Sequence, residues 1–200
     1  MKAFVTAGTR GIGKQIVDDL ILLNYDVEFT SSKIQKEPSG PVDILILNAG
    51  ITDRTPFDKI TRNEWNKIVK FNLTDPFFLV QNTKINTGGR IIFISSILAE
   101  IPHSVSISYP VTKAAINAMV KNLVKHFAAD KITVNAVAPG FINTDWHKAK
   151  SPEMIKNIEN RIALKRFGTV NEVSSLVLQI IFNEYINGQI LTVDGGYDCS

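Results

Sequence analysis

Tyr109 and Lys113 stand four residues apart in Tyr109-Pro110-Val111-Thr112-Lys113. On a helix, positions i and i+4 share a face, so a phenol and an ammonium can approach each other there. A free tyrosine ionises near pKa ~10 and is a poor acid or base at neutral pH. A cation ~4 Å away is worth up to ~4 kcal/mol at an effective dielectric of ~20, which lowers the phenol by about two or three pKa units. This expectation brings Tyr109 close to working pH, where general acid–base catalysis is most efficient. Thirteen residues upstream of Tyr109, Ser96 closes the strand-like run Arg90-Ile91-Ile92-Phe93-Ile94-Ser95-Ser96. A Tyr-x-x-x-Lys pair alone is also common on solvated helix faces, so its chemistry depends on what surrounds it.

The elements that must position these residues follow from apolar periodicity. Ala3–Thr6 reads as a strand and Ile12–Asn24 as a helix with Ile16, Val17, Leu20 and Leu23 on one face. Val27–Thr30 and Asp43–Leu47 read as strands, the second almost wholly apolar. Helix 63–81, strand 90–95, a long helix over 105–129 and strand 132–137 follow. Helical patterns near 152–162 and 170–183 precede a last strand, Ile190–Val193. Continuous Val/Ile/Leu strands alternating with helices indicate a parallel sheet covered on both faces. The expected fold is a doubly wound, Rossmann-like α/β domain spanning residues 1–200.

Composition narrows the function. Two hundred residues suit one domain with a core large enough to need no staples. A hydrophobic share of 44% and a charged share of 20% are those of a soluble globular protein. The net charge of +3 is small and scattered, with no basic run interleaved with aromatics, which argues against nucleic acid. One cysteine, Cys199, leaves no disulfide framework, and the isolated His103, His126 and His147 give no metal-ligand spacing. The chain enters its first strand at Lys2 with no signal peptide and no membrane-length apolar span, so a cytoplasmic protein is expected.

Three strand ends carry candidate binding turns. Thr6-Ala7-Gly8-Thr9-Arg10-Gly11-Ile12-Gly13 joins the first strand to the first helix. Glycines there let backbone approach a pyrophosphate, and the helix N-terminus supplies unpaired N–H donors. Leu47-Asn48-Ala49-Gly50 and Pro139-Gly140-Phe141-Ile142-Asn143-Thr144 sit at the carboxyl edge of the sheet, where open α/β sheets bind ligands. Each alone also reads as a strand-terminating turn.

Taken in order, the glycine turn, Asn-Ala-Gly, Asn72, Ser96, Tyr109/Lys113 and Pro-Gly resemble the short-chain dehydrogenase/reductase family. The resemblance runs through Arg166-Phe167-Gly168-Thr169 to Val193-Asp194-Gly195-Gly196, and the local wording is similar to the 3-oxoacyl-carrier-protein reductases. It implies hydride transfer between a nicotinamide and a carbonyl or secondary alcohol. In that scheme Tyr109 exchanges the proton of the substrate oxygen and Ser96 hydrogen-bonds that oxygen. Lys113 holds the nicotinamide ribose and lowers the Tyr109 pKa, and Asn72 supports a water leading toward Lys113. Gly8, Thr9, Arg10, Gly11, Ile12 and Gly13 would hold the cofactor's phosphates. Asn48, Ala49 and Gly50 would line its ribose, and Pro139, Gly140, Ile142 and Thr144 would flank the nicotinamide. A homodimer or homotetramer through helices 63–81 and 105–129 is the family's implication for assembly.

Charge decides the expected cofactor. An acid after the second strand would bind a ribose 2′-OH and disfavour a 2′-phosphate. The stretch Phe29-Thr30-Ser31-Ser32-Lys33 has none, and Arg10 sits in the glycine turn. Arg10, Ser31, Ser32 and Lys33 suit a phosphate, so NADP(H) is expected over NAD(H).

The chain departs from the family pattern at two places. Ala7 stands at the first glycine position of the turn. Only Ser31–Val42 separate the second strand from the third, with Pro38, Gly40 and Pro41 among them. Twelve residues cannot hold the helix, strand and helix that relatives place there. Six strands are therefore expected, with Val27–Thr30 an edge that Asp26 and Glu28 protect. The family's adenine pocket loses its usual Asp-Val pair, which implies weakened cofactor affinity.

The substrate wall is expected from Ile97, Leu98, Ile101 and His103 on one side and Phe141 with 145–162 on the other. These residues fit a carbonyl with a hydrophobic neighbour, an acyl thioester among them, or simple core packing. Trp65 reads as core and Trp146 as loop packing. Two functions stay open: an active NADP(H)-dependent reductase, and a binding or regulatory protein that keeps the fold with little turnover.

Overall fold

The computed structural model describes residues 1–31, 36–102, 106–148 and 150–199. Among them six parallel strands form one sheet: β1 (Lys2–Val5), β2 (Asp26–Phe29), β3 (Val42–Leu47), β4 (Ile85–Ile94), β5 (Thr133–Pro139) and β6 (Ile190–Val193). Their order is β2-β1-β3-β4-β5-β6. The chain reverses direction across the sheet between β1 and β3, which opens a crevice at the strands' carboxyl ends.

Successive side chains of a strand face opposite ways, and here both faces are buried. Ala3, Val5, Ile44, Ile46, Ile92 and Ile94 pack with α1 (Gly11–Leu22) and α6 (Val170–Phe182). Phe4, Leu45, Leu47, Ile91 and Phe93 face α3 (Asp75–Asn82) and α4 (Ser108–His126). This double burial explains why the strands read as continuous apolar runs. α2 (Arg62–Val69) and α6 each begin with a reciprocal capping box, Thr61/Glu64 and Thr169/Glu172. α5 (Pro152–Arg161) begins with Ser151 as cap and proline at its first position.

Three expected elements differ in detail. The helix expected over 63–81 is α2 and α3 joined by a π turn at Lys70–Thr74. β4 begins at Ile85 rather than Arg90, and its register against β3 shifts between Val42 and Ile44. The long helix is described from Ser108, and Val105 lies outside the described residues. β3 begins at Val42, one residue before its expected start, and the described residues between Phe29 and Val42 contain no strand. Glu28 is not a bare edge charge. Its carboxylate accepts from the Ser39 N–H (2.9 Å) and hydroxyl (2.8 Å) and pairs with Lys36 and Lys2. These bonds hold the Glu28 carboxyl down to about 2, the Ser39 backbone bond first. The short connection is thus tied back to the edge strand it leaves. Trp65 is 36% exposed on α2, so it is not core as expected.

Candidate active site

The carboxyl ends of β1, β3, β4 and β5 meet at a cavity of about 410 Å3. Arg10, Gly11 and Ile12 form one lip, Asn48 and Gly50 a side, and Ser96, Tyr109 and Lys113 the chemical end. Pro139, Gly140, Ile142 and Thr144 form the facing side. Most residues anticipated for one site therefore share one cavity.

The glycine turn divides its labour. Gly11 adopts φ +56° against Thr144 at the cavity's lip. A side chain at Gly13 would collide with the Ala7 carbonyl and the Asn48 amide, so this glycine lets helix, turn and strand end approach. Gly8 similarly faces Phe29 and Val17. Gly8, Thr9 and Gly13 are absent from the cavity wall, so they shape the turn rather than line the site. Ala7 itself has φ +53°, a conformation that favours glycine, and the Thr30 hydroxyl accepts its N–H at 3.1 Å. α1 starts at Gly11 with no side-chain cap and no acid in its first turn, leaving its N–H groups and positive end open to an anion.

Asn48 is mostly a staple. Its amide donates to the Thr6 and Ala7 carbonyls, both at 3.2 Å, fixing β3 to the glycine turn. The Thr6 hydroxyl accepts the Asn48 and Ala49 N–H groups at 2.9 Å each. Gly50 lines the cavity beside Lys113, while Ala49 does not reach it. Asn72 lies in the π turn, 1% exposed, and uses its whole amide. It accepts the Ile51 N–H (2.9 Å) and donates to the Ile51 carbonyl (2.8 Å) and the Thr112 hydroxyl (3.1 Å). The extra residue of the π turn aims this side chain at α4.

Ser96 follows β4 and its hydroxyl accepts the Leu98 N–H at 3.2 Å. Ser96 and Tyr109 line the same end of the cavity, and the Ser96 side chain pulls the phenol's pKa down less strongly than burial raises it. Tyr109 keeps part of its surface open to the cavity, yet protein surrounds it, and burial pushes its pKa up to about 12. This corrects the expectation that Lys113 lowers it. Lys113 Nζ lies 5.6 Å from the Tyr109 ring centre and donates to the Ile94 carbonyl at 2.6 Å. Burial lowers Lys113 itself to about 8. Desolvation outweighs a cation that lies 5.6 Å from the ring centre and is held by a main-chain oxygen. At neutral pH Tyr109 is a protonated donor.

The remaining wall was only partly anticipated. Ile97, Leu98 and Phe141 line the cavity as expected, whereas Ile101 and the helix within 152–162 do not. His103 and the phosphate candidates Ser32 and Lys33 lie outside the described residues. Trp146 covers Tyr109 with ring centres 6.1 Å apart, which makes it a site wall rather than loop packing. His147, isolated as a metal ligand but within the expected 145–162 wall, does line the cavity. Its ring packs on Phe141 and Phe167, and burial, with Lys150 and Arg54 nearby, lowers it to about 4, so it is neutral. Only its position beside Trp146, after the Pro-Gly turn, offered a signal. Among the described residues no group of His, Cys, Asp or Glu could hold a metal.

The comparisons with known proteins agree with this geometry. A family model described as enoyl-(acyl carrier protein) reductase matches residues 21–198. The 3-oxoacyl-acyl-carrier-protein reductase of Aquifex aeolicus is 37% identical over 161 residues, covering 78% of this chain and 65% of that protein. The match therefore spans just under two-thirds of that relative's length. The same-named enzyme of Buchnera aphidicola is 34% identical, over 97% of this chain and 96% of that one. A short-chain dehydrogenase/reductase of Serratia marcescens superposes with a TM-score of 0.90 at 26% identity, covering 98% and 97% of the two chains. A blue fluorescent protein from a metagenomic library, solved with NADPH, superposes with a TM-score of 0.89 at 27% identity, with the same coverage. With the Ser96–Tyr109–Lys113 cluster at its sheet edge, this chain belongs to the short-chain dehydrogenase/reductase family.

Proposed function

We propose that the chain is an NADP(H)-dependent oxidoreductase acting between a carbonyl and its secondary alcohol. The observation that carries this reading is the convergence of Ser96, Tyr109 and Lys113 at one end of a cavity whose other lip is the glycine turn. The residues present fit a dinucleotide. Gly11 leaves room at an uncapped helix N-terminus, and Arg10 offers a guanidinium at the same lip for a 2′-phosphate. Solved neighbours carry NADPH, among them the metagenomic fluorescent protein and BdcA.

When bound, the cofactor supplies or accepts hydride; the protein supplies position and protons. In reduction, neutral Tyr109 donates its phenolic proton to the carbonyl oxygen, and Ser96 hydrogen-bonds the same oxygen as charge develops. Lys113, beside Gly50, would hold the nicotinamide ribose hydroxyls. Ile142 and Thr144, on the facing wall, would touch the carboxamide. In the reverse direction Tyr109 must first ionise, which its burial opposes.

Leu98, Ile97, Phe141 and Trp146 give an apolar wall that suits a carbonyl with a hydrophobic neighbour. A 3-oxoacyl thioester is the first substrate class to test, with an enoyl thioester as the competing one. A homodimer or homotetramer accounts for the exposed Phe77 and Phe78 on α3 and Val111 on α4. No helix among the described residues is long and apolar enough to cross a membrane, in keeping with a cytoplasmic enzyme. The shortened Ser31–Val42 connection favours the second reading, a binding or regulatory protein with weak cofactor affinity. Calorimetry with NADPH and NADH, followed by nicotinamide absorbance with acetoacetyl and crotonyl thioesters, separates the two. Tighter NADPH than NADH binding with acetoacetyl turnover supports the enzyme; no binding and no turnover overturn it.

A further inference from the structure

We infer that Asp53 is a positioning residue for Tyr109, acting through a two-pronged brace between the loop after β3 and the start of α4. The inference rests on Tyr109 as proton donor for its kinetic consequences, and on geometry alone for the brace itself. Tyr109 is the second residue of α4, where helices fray and N–H groups lack partners. The residue at the N-cap position, Ile107, offers no side-chain cap. Asp53 takes over this task from another element. Its Oδ1 accepts the Ser106 hydroxyl and its Oδ2 the Ser108 hydroxyl, both at 2.7 Å, and both serines are buried. The carboxylate thereby spans the helix start and places a negative charge at its positive end.

A second prong lies one turn further along. The Ile51 backbone is held by Asn72, Asn72 donates to the Thr112 hydroxyl, and Thr112 donates to the Tyr109 carbonyl at 2.7 Å. Ser108 and Thr112 are i and i+4, and each directly precedes a member of the Tyr109/Lys113 pair. One short loop, Ile51–Asp53, therefore grips α4 at both residues adjoining the chemistry. Asp53 does not line the cavity, so its influence on the reaction runs through the depth and angle of the Tyr109 phenol.

The test combines hydrogen exchange with kinetics on Asp53→Ala, Asp53→Asn, the Ser106→Ala/Ser108→Ala double variant and the combined triple variant. In Asp53→Ala the amides of 111–113 exchange at least about fivefold faster, while those of 116–126 keep their protection, as expected for loss of a local, charge-assisted bond. With NADPH and acetoacetyl thioester, kcat falls about tenfold while the KM for NADPH moves by less than about twofold. The serine double variant gives the same pattern, and the triple variant is no worse than either. Asp53→Asn, which keeps one acceptor oxygen in the same shape, recovers part of the loss and serves if the alanine variant does not fold. Uniformly faster exchange across α4, or a triple variant whose loss is the product of the separate losses, overturns the brace. Absence of turnover in the unmodified protein would count against the proposed activity, while the exchange experiment would still decide the brace.

Discussion

Replacing Lys113 with methionine should stabilise the cofactor-free protein at neutral pH, an outcome opposite to that of most core substitutions. Lys113 is 5% exposed and its one hydrogen-bond acceptor among the described residues is the Ile94 carbonyl. Burial lowers it to about 8 from 10.5. At pH 7 the folded protein therefore carries a charge it disfavours, by ~3 kcal/mol at ~1.4 kcal/mol per pKa unit. Methionine fills similar space without charge but forfeits the bond to Ile94, worth ~1 kcal/mol. The net gain is ~2 kcal/mol, or roughly 4–8 °C in Tm for a chain of this size. The sign reverses with pH in a defined way. The unfolded lysine holds its proton up to 10.5 while the folded one releases it near 8, so the unmodified protein gains stability as pH rises through that window. The advantage of Lys113→Met should accordingly be full below pH 8 and shrink toward pH 10.5. Differential scanning calorimetry at pH 6, 8 and 10 measures this. A variant that melts lower at pH 6, or an advantage that does not change with pH, would refute the reasoning.

Other outcomes follow from the same geometry. Gly13→Ala should cost more than ~2 kcal/mol in urea unfolding, because its new methyl meets the Ala7 carbonyl and the Asn48 amide, neither of which can yield cheaply. Arg10→Gln should weaken NADPH binding about tenfold in calorimetry and leave NADH within about twofold, as a 2′-phosphate contact requires. Equal losses for both cofactors would remove Arg10 from phosphate recognition. Ser96→Ala should lower kcat by about 10²-fold with a small change in KM, since the lost donor acts mainly on the developing oxyanion.

The fold was largely legible because double burial leaves a plain mark. Ile44 and Ile46 face one helical layer while Leu45 and Leu47 face the other, so each of these four β3 positions had to be apolar. The short Ser31–Val42 connection likewise announced the six-strand sheet through chain length alone. Residues marked by a local motif, such as Gly11, Ser96, Tyr109 and Lys113, do meet at one cavity. What depends on distant surroundings was not legible. The π turn that aims Asn72 differs from an α-helix by a single residue and has no clear sequence mark. Asp53 meets Ser106 and Ser108 more than fifty positions away in the chain. The acidity of Tyr109 was misjudged because spacing gives proximity to Lys113 but not the desolvation that decides it. The segment 145–162 was expected as a wall, but that only its first residues, Asp145, Trp146 and His147, reach the cavity depends on the path of the chain after β5.

The central claim is that Tyr109, protonated at neutral pH and sharing its end of the cavity with Ser96, delivers the proton of a carbonyl reduction. Single-turnover oxidation of NADPH with acetoacetyl thioester, followed by absorbance for the unmodified protein and Tyr109→Phe from pH 6 to 9, tests it most directly. The account predicts reduction in the unmodified protein with no loss from phenol ionisation across that range, and a fall of at least ~10³-fold in Tyr109→Phe with NADPH affinity retained. A phenylalanine variant that reduces the substrate at a comparable rate would contradict it.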